Sequence, residues 1–490
     1  MRRADIFLRP CFIFFFLWIA SNSTLAQQSP ERAAAAVDEV FADVATPGSP
    51  GCAVAVARDG KLLYAKGYGL ANVEQNVPIT PDSVFDIGST SKQFSASSIL
   101  LLEKQGKLSI NDDIRKYIPE LPAYGKPITL LNLLNHTSGL RDYLALFELS
   151  GVNTDSVTTD DEALALIVRQ KGLDFEPGSE YLYSNTGFFL LSVIVRRVSG
   201  QSLREFAAEN IFQPLAMTHT LYRDSHTLLI PNRALAYDPV EKSSSFTLNV
   251  SYFEQTGDGA VHTTVGDLLK WDENFYTAQV GGKPFLVELQ TPGILTNGKA
   301  IEYAKGLSIE SYRGLHTVRH GGSWGGYRAE LLRFPEQHFS VACLCNRSDT
   351  SPENRAERVA DIYLASQLKP KEQKKEDRER SNKKPEISVS AEDLKPLAGL
   401  YWSEELAVGY KLELADGKLA IAQLQDFGGM TRSSDLKGSA LVPVAKDEFN
   451  SHAAGATFHF QRDAAGVPTS FTLDVGRSKG MIFKRSSGTL

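Results

Sequence analysis

Cysteine is scarce: the 490-residue chain has four, and neither Cys-x-x-Cys nor His-Glu-x-x-His occurs. That excludes a disulfide framework and gives no reason to expect a metal centre or any other cofactor. Excess positive charge is also missing. A net charge of −6 gives no basis for nucleic acid or an anionic membrane surface as partner. Repeats and compositional bias are absent as well, and 42% hydrophobic with 22% charged residues describes a globular chain. Its length predicts two or three domains. No apolar run reaches the roughly 20 residues of a membrane span. The compact run "CFIFFFLWIA" follows Arg2, Arg3 and Arg9 and precedes small residues, with Thr24 and Ala26 placed for cleavage. This is the layout of a secretory signal peptide over residues 1–26, so export to the periplasm or beyond is expected, with no stable span after cleavage. Cys52, Cys343 and Cys345 then remain. A bridge from Cys52 to one of the two cysteines in "VACLCN" stays open.

What is present is patterned. "GCAVAVARDGKLLYAKGYG" alternates, turns at Asp59-Gly60 and returns, which predicts a β-hairpin. Helical stretches dominate from Ser91 to about Phe212, and "TTVGDLLKWDENFY" opens with Thr264 and Asp267 at capping-box spacing. Strands return in "YAKGLSIESY", "LHTVRHGG", "YRAELLRF" and "FSVACLCN", and an amphipathic helix, "ENRAERVADIYLASQL", follows. Strands at both ends with helices between predict an α+β domain over residues 27–368, its two ends sharing one antiparallel sheet. Lys369 to Lys384 is charged at twelve of sixteen positions and reads as a mobile linker within 369–388. From 389 to 490 the period changes to short hairpins, such as "GYKLELADGKLAIAQL", which predicts a small all-β barrel or sandwich.

The stretch "FDIGSTSKQF" (85–94) sets three hydroxyls before a lysine at the start of a helix. Either Ser89 or Thr90 is a plain N-cap, or Ser89 is a nucleophile with Lys92 one turn later on the same face. A lone Ser-x-x-Lys carries little weight, since Ser366/Lys369 and Ser434/Lys437 share the spacing. Two further stretches add to it. "FEPGSEYLYSNTGFFLL" places Tyr183-Ser184-Asn185 before a helix, and "VRHGGSWGGYRAEL" places His320-Gly321-Gly322-Ser323 at the end of a strand. In this order the three resemble the serine β-lactamase and penicillin-binding-protein superfamily, in the branch of class C β-lactamases, D,D-peptidases, D-aminopeptidases and esterases. "LLNHTSGLRDY" and "GDGAVHTTVGDLLKW" are also similar to that branch.

The resemblance implies an antiparallel sheet flanked by helices, with a helical subdomain. It implies Ser89 as nucleophile, Lys92 as its base partner and Tyr183 as general base and acid. Asn185 would bind the substrate amide, and the backbone N–H groups of Ser89 and Ser323 would hold the oxyanion. The chemistry agrees: serine needs a base, a buried ammonium is disfavoured, and a neighbouring cation would favour the Tyr183 phenolate. Gly321 and Gly322 would let backbone approach substrate, and Thr90 and Ser91 are left to cap and pack. A local Asx turn is the competing role for Asn185.

One departure counts. His320-Gly321-Gly322 stands where many members have Lys-Thr-Gly, so a fixed cation for a substrate carboxylate is replaced by a mostly neutral imidazole. His320 is expected to orient substrate and tune Tyr183. Small peptides, peptidoglycan fragments or esters fit better than β-lactams. The alternatives are a β-lactamase proper or a silent protein that binds wall peptides. "GGSWG" (321–325) also satisfies the nucleophile elbow of α/β-hydrolases, with His338, Asp349 and Asp361 downstream, but a hairpin rather than a helix follows Ser323. His136 has no recognisable acid partner and reads as structural. The C-terminal segment is similar to lipocalin-like domains appended to some members. It would cover the active-site mouth, mediate oligomers, or bind glycan through Tyr401 and Trp402.

Overall fold

The computed structural model describes residues 29–153, 156–371, 386–426, 431–432, 436–451 and 455–486. The expected signal peptide and most of the charged linker lie outside the described residues, as does Ser434.

The chain begins with helix α1 (Pro30–Val40). The hairpin turns where expected, joining β1 (Cys52–Arg58) to β2 (Lys61–Tyr68). Asp59 and Gly60 both hold positive φ, 52° and 69°, the left-handed pair that a two-residue hairpin turn needs. Helices α2 (Lys92–Lys104), α3 (Tyr143–Ser150), α4 (Asn185–Ser199) and α5 (Val265–Thr277) follow. The capping box at α5 is half made. Thr264 accepts from the Asp267 N–H, but the Asp267 carboxylate instead takes the His219 N–H and the Thr220 hydroxyl.

Four strands come next: β3 (Ser308–Tyr312), β4 (Leu315–Trp324), β5 (Tyr327–Phe334) and β6 (Phe339–Cys345). Helix α6 (Pro352–Tyr363) packs back on them. All six strands form one antiparallel sheet in the order β3-β4-β5-β6-β1-β2, so the two ends of the region do share a sheet. Both faces are covered, which is why β1 and β6 read as nearly continuous apolar runs. Cys52, Val54 and Val56 face α1 and α6, whereas Ala53 and Ala55 face the helical side. Register puts Cys52 opposite Cys345 and Val54 opposite Cys343. The open pairing resolves accordingly: Cys52 is bonded to Cys345, and Cys343 is a buried free thiol.

Among the described residues eight further strands make a second sheet: β7 (Gly399–Ser403), β8 (Val408–Ala415), β9 (Lys418–Gln425), β10 (Ala440–Ala445), β11 (Glu448–Ser451), β12 (Ala456–Arg462), β13 (Pro468–Val475) and β14 (Ser478–Arg485), with the two-residue strand Thr431–Arg432 beside β9. Each pairs antiparallel with the next, and β14 returns to β7, closing a barrel. Eight strands leave an interior that side chains can fill, here with Tyr401, Tyr410, Phe458, Phe471 and Phe483. Tyr401 is therefore core and Trp402 is partly buried.

The barrel is docked, not tethered loosely. Arg141, its side chain 4% exposed, donates from Nη1 to Glu405 at 2.7 Å and from Nε to the Lys479 carbonyl at 2.8 Å. The Tyr410 hydroxyl donates to the Leu149 carbonyl of α3 at 2.7 Å. No helix among the described residues is long and apolar enough to cross a membrane.

Candidate active site

Ser89 lies in a single 3-10 turn, Gly88–Ser91, that feeds directly into α2. Of the three hydroxyls only Ser89 is partly exposed; Thr90 and Ser91 are buried. None caps the helix. Thr90 Oγ1 donates to the His320 carbonyl at 3.1 Å, and Ser91 Oγ accepts from the Val261 N–H at 3.1 Å. The capping role expected of Thr90 and Ser91 is therefore corrected: these hydroxyls tie the turn to two neighbouring strands and hold Ser89 at the surface of the cleft.

Lys92 is wholly buried one turn on. Its Nζ reaches Ser89 Oγ and Asn185 Oδ1, both at 3.0 Å, and the Asp258 carbonyl at 2.6 Å. Three acceptors match the three N–H bonds of an ammonium. Burial nevertheless pulls its pKa down to about 8, opposed by the Asp258 and Asp142 carboxylates. Asp258 is itself buried and pushed up to about 6, with Tyr143 donating to its Oδ2 at 3.0 Å. Asn185 forms no Asx turn. Its side chain faces Lys92, and its own N–H donates to Asp142 Oδ2 at 2.8 Å.

Tyr183 comes to the same place, its ring centroid 4.8 Å from Lys92 Nζ. Part of its ring faces the cleft, but the hydroxyl is buried and makes no hydrogen bond among the described residues. The expectation that a cation would favour its phenolate is corrected. Burial raises the phenol well above its ordinary value, and the nearby Ser89 hydroxyl and the Arg477 charge only partly offset it. Tyr183 is a neutral phenol here.

His136 holds it in position. The His136 carbonyl accepts from Leu182 N–H and its Nδ1 from Ser184 N–H, bracketing Tyr183 on both sides. The two rings lie 4.2 Å apart. His136 is structural, as read, but its task is to place Tyr183.

His320 follows from β4. Its Nδ1 can only donate to the Gly321 carbonyl (2.6 Å), which leaves Nε2 to accept from the Tyr303 hydroxyl (3.0 Å). Both nitrogens are engaged, so any influence on Tyr183, centroid 6.4 Å away, passes through ring contact. Burial, and then the Lys92 charge, pull His320 down to about 4, so it is neutral near pH 7.

The glycines of this strand do separate jobs. A Cβ on Gly322 would lie 1.9 Å from the Ile87 carbonyl oxygen, whereas one on Gly321 would meet Glu330 Oε2 at 3.1 Å and the Ala329 carbonyl oxygen at 3.7 Å. Both line the cleft, but Gly322 also packs backbone to backbone against the Gly88–Ser91 turn. Across the same contact, a Cβ on Gly88 would come 2.7 Å from the Ser323 nitrogen. The two segments expected to supply oxyanion donors are therefore adjacent. Gly322→Ala is expected to destabilise the fold by about 1–3 kcal/mol and to abolish Ser89 labelling, while Gly321→Ala keeps both. Urea unfolding and probe labelling measure these.

The elbow reading of Ser323 is excluded by its surroundings. The chain turns at Gly325–Gly326 into β5, not into a helix. His338 bonds Glu273, Asp349 pairs with Arg347, and Asp361 pairs with Arg313, so each has a partner other than Ser323.

These groups line one cleft of about 650 Å³, with Ser89, Tyr183, Asn185, His320 and Ser323 in its wall. A residue not anticipated from the sequence also lines it: Arg477, at the tip of the β13–β14 hairpin of the barrel. Its guanidinium carbon is 5.1 Å from the centroid of the Tyr183 ring. Asp142, Asp258, His136 and Tyr303 were also missed as site residues. The density of polar residues in "NHTSGLRDY" and "GDGA" hinted at the first three, and nothing hinted at Tyr303.

A family model described as Beta-lactamase matches residues 37–365. The chain is 31% identical over 331 residues to a penicillin-binding protein of Bacillus subtilis (strain 168), covering 64% of this chain and 72% of the relative. It is 29% identical to a D-aminopeptidase of Gluconobacter oxydans (strain 621H), covering 76% and 66%, and 29% identical to one of Brucella anthropi, covering 61% and 56%. The match thus spans little more than half of the Brucella relative. Among solved structures, an octameric penicillin-binding protein homologue from Pyrococcus abyssi superposes with a TM-score of 0.62 at 24% identity, covering 93% of this chain and all of that one. A D-amino acid amidase from Ochrobactrum anthropi SV3 gives 0.58 at 22%, covering 68% and 99%. Both likenesses carry the fold. With the matched model spanning most of the chain, the protein belongs to the β-lactamase family, among serine hydrolases of the penicillin-binding-protein superfamily.

Proposed function

We propose that the chain is an exported serine hydrolase that forms an acyl-enzyme on Ser89 and releases it with water. Its substrates are small peptides or amides containing D-amino acids, with short esters also accepted. The D-aminopeptidases and D-amino acid amidase among its relatives support the substrate class, and the N-terminal arginines with their apolar run support export. The observation that carries the chemistry is the 3.0 Å contact between Ser89 Oγ and a buried Lys92 Nζ whose ammonium is disfavoured.

In the reactive form Lys92 is a neutral amine. It takes the Ser89 proton as Oγ bonds to the substrate carbonyl carbon, and the carbonyl oxygen becomes an oxyanion held by the Ser89 and Ser323 N–H groups. Collapse breaks the bond to the leaving group. That group receives a proton from Tyr183, which is replenished by the Lys92 ammonium. Water then attacks the ester carbon along the same proton path, and Ser89 is restored. Asn185, held by Lys92 and by Asp142, presents its amide N–H to the substrate.

A fluorophosphonate or penicillin probe tests this. Mass should be added to the peptide bearing Ser89 in the native chain and not in Ser89→Ala; label on Ser323 instead would defeat the reading. The pH dependence is specific too. Acylation at low substrate should rise through a midpoint near 8 as Lys92 deprotonates, and not near 6.5, because His320 is already neutral. The Asp258 charge favours the ammonium, so Asp258→Asn should move that midpoint to lower pH. Stopped-flow acylation across roughly pH 5–10 measures both.

A further inference from the structure

We propose that Arg477 is a substrate-binding residue of this site and that it captures a carboxylate on the substrate. The inference rests on the proposed function and names its substrate class more closely. Among the described residues the Arg477 guanidinium makes no hydrogen bond. Its one charge partner is Asp142, whose Oδ2 is 3.7 Å from Nη2. That carboxylate is already committed, Oδ2 to the Asn185 N–H at 2.8 Å and Oδ1 to the Leu144 N–H at 3.1 Å. Arg477 therefore brings a planar fork of unpaired donors to the cleft, 39% exposed, over the ring of Tyr183.

The other cations of the cleft are more closely held. Lys92 is surrounded by three acceptors, and Arg328 is anchored through Nη1 to the Gly325 and Tyr327 carbonyls, whereas no hydrogen bond among the described residues holds the Arg477 fork. His320, on the strand where a lysine would stand, is neutral. A guanidinium fork matches a carboxylate through two parallel N–H···O bonds.

The hairpin tip is held firmly enough to serve. The Asp142 N–H donates to the Arg477 carbonyl at 3.3 Å and to Ser478 Oγ at 3.0 Å, and Arg141 takes the next two carbonyls of β14, at 2.8 and 3.2 Å. The barrel is on this reading a wall of the active site, and its arginine supplies the charge that β4 lacks.

The test uses the full chain carrying Ser89→Ala, so that binding is read without turnover. Calorimetric affinities are compared for N-acetyl-D-alanyl-D-alanine and its C-terminal amide, and for adipate monoamide and hexanamide. The first pair places the carboxylate on the leaving side and the second on the acyl side. One of the two pairs should favour the acid by roughly 10- to 100-fold. Arg477→Gln should erase that gap, with the amide affinity unchanged. Arg477→Lys should restore part of it. Equal affinities within both pairs, absence of binding by all four ligands, or a gap that survives Arg477→Gln would overturn the proposal. Failure of Ser89 to be acylated in the native chain would instead defeat the proposed function and leave the binding result standing on its own.

Discussion

Replacing Lys92 with arginine should lower acylation of Ser89 by roughly 10²- to 10⁴-fold, although the positive charge is kept. A guanidinium does not give up its proton at any working pH, so the variant separates a base from a mere counter-charge. If Lys92 only held Asn185 and Ser89 in place, arginine would retain much of the rate and the pH midpoint near 8 would persist. Lys92→Ala gives the complementary result. It should be comparably slow, and small primary amines added to the solution should restore part of the rate in proportion to their free-base concentration. Circular dichroism and unfolding midpoints of both variants show whether the site has kept its shape, because Lys92 is wholly buried. A rate unchanged by arginine would move the base elsewhere and leave Tyr183, a neutral phenol in these surroundings, with no partner to charge it.

Arg141→Met should loosen the barrel by about 3–5 kcal/mol. The guanidinium and the Glu405 carboxylate are both nearly inaccessible, at 4% and 5% exposure. Without Arg141, Glu405 keeps only the Lys171 and Ile482 N–H groups, at 2.7 and 3.4 Å. The cost comes from the uncompensated charge, so adding Glu405→Gln should recover a good part of it, whereas independent sites would simply add. Hydrogen exchange read separately over residues 142–150 and 478–482 should show both edges of the interface opening together. Substrate selectivity should change at the same time, because the strand pinned by Arg141 carries Arg477. A variant that unfolds in one transition with native selectivity would show that the contact does not position the hairpin.

Much of the fold was legible because its signals are local. Asp59-Gly60 writes a hairpin turn into the chain, strands at both ends with helices between announce one shared sheet, and the alternating C-terminal strands announce a barrel. The pairing of Ser89 with Lys92 could be found because one helical turn joins them. What could not be read was made by distance. His136 looks like an ordinary loop histidine until Leu182 and Ser184 fold against it. Asp258 is one acid in a glycine-rich stretch until Lys92 arrives beside it. Arg477 sits in "GRSKG", a polar hairpin tip like any other, and only barrel closure and the grip of Arg141 aim it at Tyr183. The error over the Tyr183 phenolate has the same origin. Lys92 was foreseeable from sequence order as a neighbouring cation, but how deeply the hydroxyl would be enclosed was not.

The first strand of the catalytic sheet lies between the second and the last, its neighbour on one side nearly three hundred positions away in the chain. A ribosome delivers Cys52 long before Cys345, so the sheet cannot close until almost the whole of this region has emerged. During that interval the edge of β1 is bare and its thiol is unpaired. When β6 arrives it carries two sulfurs two residues apart, and oxidation before the strands are aligned would join Cys52 to the wrong one. Such non-local pairing makes for slow assembly, and the chain depends on register being set before the bond that locks it.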